Sequence, residues 1–291
     1  FGRAERIIGG AATYISVAAS YFTRPIGIVS IIGTDFPVAM QIELERRGVD
    51  LSGVVRHLSR PSFFWAGRYH ADMQTRDTLD TQLNVLEEFP ETIPPSYRQA
   101  PFLILGNLDP RLQKRIYEQM NPRPKVVLLD TMNFWITNAR EALEEILAQV
   151  DVLSINDEEA RQLVGDYSLR RCARAILSRG PRYLLIKKGE NGALLFSQEG
   201  ETFFFPAYPL EEVFDPTGAG DTFAGAIMGY IAREGELTLD ILKEAVVQGT
   251  VMASLCVERF GLEALLSADK DEIERRREQL IRMSHFIRVP T

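Results

Sequence analysis

Thiol and imidazole groups are scarce here, with two cysteines and three histidines in 291 residues. Cys172 and Cys256 stand alone in apparently helical, partly apolar stretches, which suits buried thiols in a reducing cytoplasm and argues against a disulfide framework. His57, His70 and His285 are scattered without metal-ligand spacing, so a structural zinc is not expected. No apolar run approaches the roughly 20 residues that span a bilayer, and the N-terminus has no signal-peptide pattern. A cytoplasmic protein with no membrane partner is expected. Positive charge is in deficit: 33 basic against 40 acidic side chains leave a formal −7, with no general electrostatic reason to bind nucleic acid. An anionic ligand therefore needs local positive groups. There is no internal repeat, no low-complexity linker and no GxxxxGK[ST] phosphate loop.

What the chain does have is enough apolar content, 45%, to bury a substantial core, and one main domain with an appendage is expected. IGIVSII at 26–32, FLIL at 102–105, KVVLLD at 125–130, DVLSI at 151–155 and YLLIK at 183–187 read as buried parallel strands. Between them lie helix candidates at 38–47, 111–120, 138–149 and 169–179, stopped by glycine or proline, and the long candidates 239–257 and 270–283 follow later. The alternation predicts an α/β fold with a mainly parallel sheet flanked by helices, and ligands in such folds bind at the carboxyl ends of strands. Residues 54–76 break the rhythm with short β-prone runs and the aromatics Phe63, Phe64, Trp65 and Tyr69. They read as a small antiparallel flap, or equally as a hairpin decorating an edge.

DPTGAGDTFAG, at 215–225, sets three glycines and two acids before an apolar helical run. A helix starting near Gly220 presents amides without intrahelical partners, and glycines at 218 and 220 allow those amides to approach phosphate oxygens. Asp221 in the first turn is an ordinary N-cap in one reading. Beside a phosphate it makes chemical sense as a base that takes the proton of an attacking hydroxyl. The GAG run is followed by DTFAG rather than by a third glycine at dinucleotide spacing, which makes a dinucleotide fingerprint a weak reading.

These residues resemble the ribokinase/PfkB family of carbohydrate kinases, whose C-terminal signature DTxGAGD is matched by Asp215, Thr217, Gly218, Ala219, Gly220 and Asp221. GGAATYISVAAS at 9–20 resembles the family's N-terminal diglycine and alanine-rich helix, NDEE at 156–159 its NxxE motif, and KKGENGALLF at 187–196 its strand, turn and strand beside the nucleotide. The resemblance covers essentially the whole chain in the right order. It implies a Rossmann-like main domain over 1–53 and 77–291, with 54–76 as a β-sheet lid to which residues 1–8 also contribute. It implies transfer of the γ-phosphoryl group of ATP to an alcohol, with Asp221 as base and the amides of Gly218, Ala219 and Gly220 as anion hole. Asn156 and Glu159 would organise Mg2+ through water, although a helix cap with solvated acids is the other reading of NDEE. Lys187, Gly189 and Gly192 would border the triphosphate. Asp215 and Thr217 would lie near a monovalent cation such as K+, or Asp215 would fix the turn.

Two departures from the pattern bear on the substrate. Tyr14 stands where family sugar kinases often carry a substrate-contacting asparagine, and only FGRAERII precedes Gly9 where a first strand with a substrate-binding aspartate is usual. A preceding segment is therefore expected. Gly9, Gly10, Tyr14, Arg68 and Asn107 are the substrate-binding candidates, Gly9 and Gly10 also as hinge points. Asp130 and Asn133 end a strand on the active-site side, with Asp130 read as a cap leading the next helix. The acceptor is expected to be a sugar or sugar-like alcohol, with a nucleoside as the alternative and ADP a possible donor. A non-catalytic sensor is the rival from another class. Apolar residues on the flap suggest a homodimer through the lid.

Overall fold

The computed structural model describes residues 2–73 and 75–284, so His285 lies outside the described residues. The strands are β1 (Ile26–Ile32), β2 (Val49–Arg56), β3 (Phe64–Tyr69), β4 (Arg76–Gln82), β5 (Phe102–Leu105), β6 (Val126–Asp130), β7 (Val152–Asn156), β8 (Tyr183–Lys187), β9 (Ala193–Ser197) and β10 (Thr202–Phe205). Among the described residues, six form one sheet in the order β10-β9-β8-β7-β6-β5. Its β5 to β8 are mutually parallel, and β9 and β10 are antiparallel additions at one edge.

Both faces of this sheet are covered, which is why its strands read as unbroken apolar runs. Val127 and Leu129 of β6 join Leu143, Ile146, Leu163 and Ile176 of the helices on one side. Val126 and Leu128 of the same strand face Phe223, Ala224, Ile227, Leu242 and Val246 on the other. The period-two alternation of side chains thus feeds two cores at once, and full burial of each such aliphatic side chain contributes roughly 1.5–3 kcal/mol.

The helix Ala219–Glu234 crosses this second face and packs against the N-terminal helix Ala11–Ala19 at unusually close range. A Cβ at Gly225 would lie 2.3 Å from the Ile15 carbonyl oxygen, and one at Gly229 2.8 Å from the Ala19 Cα. The order 15 against 225 and 19 against 229 makes the two helices parallel, so their N-termini open at the same end.

Two features differ from the reading of the sequence. The run at 26–32 is a parallel strand, but it pairs with β2 in a separate two-stranded sheet. The antiparallel hairpin is β3 with β4, so it starts at Phe64 and ends at Gln82, past the expected boundary at 76. Every residue of β4, RDTLDTQ, is exposed, so no burial period marks it as a strand. Residues 2–8 form no strand. No helix among the described residues is long and apolar enough to cross a membrane, and both cysteines are buried and free.

Candidate active site

The turn at 215–221 is fixed from within. Asp215, 6% exposed, accepts the Thr217 N–H on Oδ1 at 2.9 Å and the Gly261 N–H on Oδ2 at 3.4 Å. This is the turn-fixing arrangement that the sequence left open, and it accounts for both carboxylate oxygens. Gly218 then adopts φ +81° as N-cap without any side-chain cap to the helix that follows.

The amides do not divide as expected from the GAG run. The Ala219 N–H donates to the Pro216 carbonyl at 3.2 Å, closing the turn, which removes it from the expected anion hole. The Gly218 and Gly220 N–H groups of the expected hole, and that of Asp221, have no partner among the described residues. They are the orphan donors of a helix start, aligned with the positive end of its dipole.

Asp221 stands at this opening. Its Oδ1 is sealed from solvent and has no hydrogen-bond partner among the described residues. Burial pushes its carboxyl up to about 7, with the Asp130 charge adding to the rise and Lys187 opposing it. A carboxylate so placed is poised as a proton acceptor near neutral pH. Lys187, at the end of β8, reaches the same opening: a Cβ on Gly220 would lie 3.2 Å from its Nζ. Burial pulls its ammonium down, but Asp130, Glu159 and Asp221 together more than offset that and raise it.

Asp130 is not the helix cap expected from the sequence. It ends β6 at 6% exposure, and its Oδ1 accepts a hydrogen bond from Lys187 Nζ at 3.0 Å. The next helix, Asn133–Asn138, starts at Met132 without a side-chain cap. The signal was present in the sequence as a charge ending an otherwise wholly apolar strand.

Asn156 and Glu159 form a capping box: Asn156 Oδ1 accepts the Glu159 N–H, and Glu159 Oε2 accepts the Asn156 N–H. The cap is therefore real, but the acid is not solvated, since Glu159 is 8% exposed and burial pushes it up to about 7. Asn156 Nδ2 and Glu159 Oε1 carry no bond to a described residue. Among the described residues no cluster of three or more His, Cys, Asp or Glu could hold a bare metal ion. Free polar atoms without such a cluster fit a cation that keeps its water shell, as Mg2+ does.

Other expected contacts are redistributed. Tyr14 is 1% exposed and its hydroxyl has no partner among the described residues, so it meets the turn rather than an open pocket. Its ring lies under Gly218, whose Cβ would come 2.5 Å from three ring atoms. Arg68 is exposed on β3, where adjacent residues point to opposite faces. Its neighbour Tyr69 is the one that reaches the site, with its hydroxyl 3.1 Å from Thr217 Oγ1. Asn107 accepts from Trp135 Nε1 at 3.1 Å and donates to Met132 Sδ, so its amide is held at the end of β5. Gly192 serves the backbone, since a Cβ there would lie 1.9 Å from the Phe205 carbonyl oxygen, and Gly189 opens the short 3-10 turn before it. Gly10, at φ +94°, is the N-cap of the first helix, and Gly9 has nothing near its Cβ direction.

A buried carboxylate, unpartnered amides and a lysine are gathered near the carboxyl ends of parallel strands, the side on which α/β folds bind ligands. The model of the pfkB family carbohydrate kinases matches residues 2–269. A cytidine kinase of Thermococcus kodakarensis is 29% identical over 264 residues, covering 89% of this chain and 91% of that protein. A nucleoside kinase of Methanothermobacter thermautotrophicus is 23% identical over 94% of this chain and 85% of its own length. In structure, a ribokinase II from E. coli in complex with ATP and Mg2+ superposes with a TM-score of 0.78 at 21% identity, covering 96% of this chain and 92% of that one. The chain belongs to the pfkB family of carbohydrate kinases. It is an ATP-dependent kinase whose acceptor is an alcohol of a small sugar or sugar-like molecule, and the family implies use of Mg2+.

Proposed function

We propose that the acceptor is the sugar of a nucleoside, phosphorylated on its primary hydroxyl with Asp221 as the base. The observation that carries the chemistry is Asp221 itself, unpartnered among the described residues at Oδ1 beside a helix start whose Gly220 and Asp221 amides are likewise unpartnered there. The Asp221 carboxylate takes the hydroxyl proton as the oxygen attacks phosphorus. The Gly220 and Asp221 amides and the Lys187 ammonium meet the charge that develops on the transferring group. Asn156 and Glu159 would hold Mg2+ through its hydration shell, and the ion supplies neutralisation of triphosphate charge.

The nucleoside assignment is supported by the two relatives matched over most of their length, a cytidine kinase and a nucleoside kinase. Aromatic side chains that line the same cavity as Asp221 suit a base: Trp65 on the flap, edge-on to Tyr69, and Phe134, edge-on to Trp135. Lid closure over the acceptor would exclude water and limit hydrolysis of ATP. The flap also supports pairing with a second copy of the chain, since Leu79, Leu83 and Phe64 are 57%, 48% and 37% exposed there.

The test is an ADP-release screen of full-length protein with ATP and Mg2+ over nucleosides and free sugars. Turnover with nucleosides is expected. Turnover confined to free sugars overturns the nucleoside assignment. Asp221→Asn is expected to lose nearly all turnover while still binding ATP, and unchanged turnover removes Asp221 as the base.

A further inference from the structure

Asp130 has no part in the chemistry described so far, yet its position is costly. A carboxylate 6% exposed at the end of an apolar strand is desolvated, and the fold keeps it there. Its partner, Lys187, comes from β8, with β7 lying between the two strands. The pair therefore bridges the carboxyl end of β7, on the ligand-binding side of the sheet rather than in either core. At 3.0 Å the contact is a direct charge-assisted hydrogen bond. The same ammonium lies 3.2 Å from the Cβ direction of Gly220, at the start of the helix that carries Asp221.

We infer that Asp130 is a positioning residue for phosphoryl transfer: it holds the Lys187 ammonium at the helix start and keeps it from pairing with Asp221. The inference rests on the reading of Asp221 as base. Among the described residues Lys187 is the basic group acting on Asp221, and three carboxylates, those of Asp130, Glu159 and Asp221, act on it. Without Asp130 the ammonium is left to the two remaining acids that act on it, Glu159 and Asp221. A Lys187–Asp221 pair would occupy the carboxylate oxygen that must accept the substrate proton, and it would withdraw the ammonium from the transferring group. Asp130 thus serves both members of the machinery through one contact.

The consequence for pH follows from the groups that face Asp221. Asp130 comes from β6 and Lys187 from β8. Glu159, on the helix Asp157–Val164, faces Lys187, and Tyr14, Asp215 and Cys256 lie on the side of the turn. Removing the Asp130 charge takes away a repulsion and frees an attraction, and both favour the ionised form of Asp221. The acid limb of kcat/KM must then move to lower pH.

The test is a double-mutant cycle on full-length protein with Asp130→Asn, Lys187→Met and the pair. Asp130→Asn is expected to lower kcat on the order of 10²-fold, and Lys187→Met by about 10² to 10³. The double variant loses no more kcat than Lys187→Met alone, because Asp130 positions the transferring group's ammonium through that lysine, while its direct repulsion of Asp221 shows in the pH profile. The acid limb falls by about one pH unit or more in Asp130→Asn and returns toward the parent position in the double variant. If Asp130→Asn is insoluble, the double variant, with no ammonium left unpaired, still reports the cycle against Lys187→Met. Losses that multiply, or an acid limb unmoved in Asp130→Asn, overturn the inference. Asp221→Asn in parallel keeps the two readings apart: an inactive Asp221→Asn with multiplying losses sinks the role of Asp130 alone, and an active Asp221→Asn sinks the base assignment.

Discussion

Replacing Gly218 by alanine tests whether the anion-binding turn is held in shape by the residue beneath it. Two separate costs arise. Alanine at φ +81° enters the left-handed region, at about 1–2 kcal/mol. Its Cβ would also lie 2.5 Å from Cε1, Cε2 and Cζ of Tyr14. That ring is 1% exposed and packs with Val17, Ala18 and Met252, so it has little room to retreat; overpacking of this kind costs roughly 1–3 kcal/mol. The sum, roughly 2–5 kcal/mol, corresponds to a fall in Tm on the order of 5–15 °C for a chain of this size. Thermal unfolding of Gly218→Ala, alone and with Tyr14→Leu, separates the parts: the smaller side chain restores the steric share and leaves the backbone share. A useful contrast is Gly220→Ala, whose Cβ meets only the flexible end of Lys187. It should change Tm little and show its effect in turnover. An unchanged Tm for Gly218→Ala would refute the account of Tyr14 as the support of the turn.

The base assignment has a signature in pH. With Asp221 pushed up to about 7, kcat/KM should fall about tenfold per unit as pH drops below that value, and a rate flat from pH 8 to 5 would contradict it. Glu159 has a folded pKa raised to about 7 from an ordinary 4.5, so the stability it allows is full below 4.5 and is lost as pH rises through 7. Glu159→Gln keeps an acceptor for the Asn156 N–H without the charge. Its unfolding free energy relative to the parent should therefore rise between pH 5 and 8, by a few kcal/mol at most, and a constant difference would argue against burial of the charged form. Tyr69→Phe removes the hydroxyl that meets Thr217 at 3.1 Å, worth about 0.5–1.5 kcal/mol. It should raise KM for the acceptor up to roughly tenfold, and an unchanged KM would separate the flap from the turn.

Much of the main sheet was legible in the sequence because VVLLD, VLSIN and YLLIK are buried on both faces and FLIL half-buried, so they carry nearly continuous apolar runs. The exposed RDTLDTQ carried no such mark, and nothing in IGIVSII told that its parallel partner would be β2 rather than the central sheet. The glycine-rich helix start was readable from types and spacing alone. Which amides remain open was not, because the Ala219 N–H is lost to a turn closed by Pro216. Partnerships across the chain were hidden for a simpler reason: Asp130 and Lys187 are 57 residues apart, and only sheet order and register bring them together. Arg68 and Tyr69 show the same limit within a hairpin, where a single step along the strand decides which side chain faces the site.

The close seating of the Ala219–Glu234 helix on the N-terminal helix has a practical meaning. With Gly225 and Gly229 letting backbone rest on backbone, the diglycine entrance and the phosphate-binding turn travel as one piece. In the proposed lid closure, opening and closing fall to the β3–β4 hairpin, which touches that piece through Tyr69. Such a division lets acceptor choice drift while the donor chemistry stays put. A protein engineer seeking a new substrate would accordingly redraw the hairpin and leave the paired helices alone.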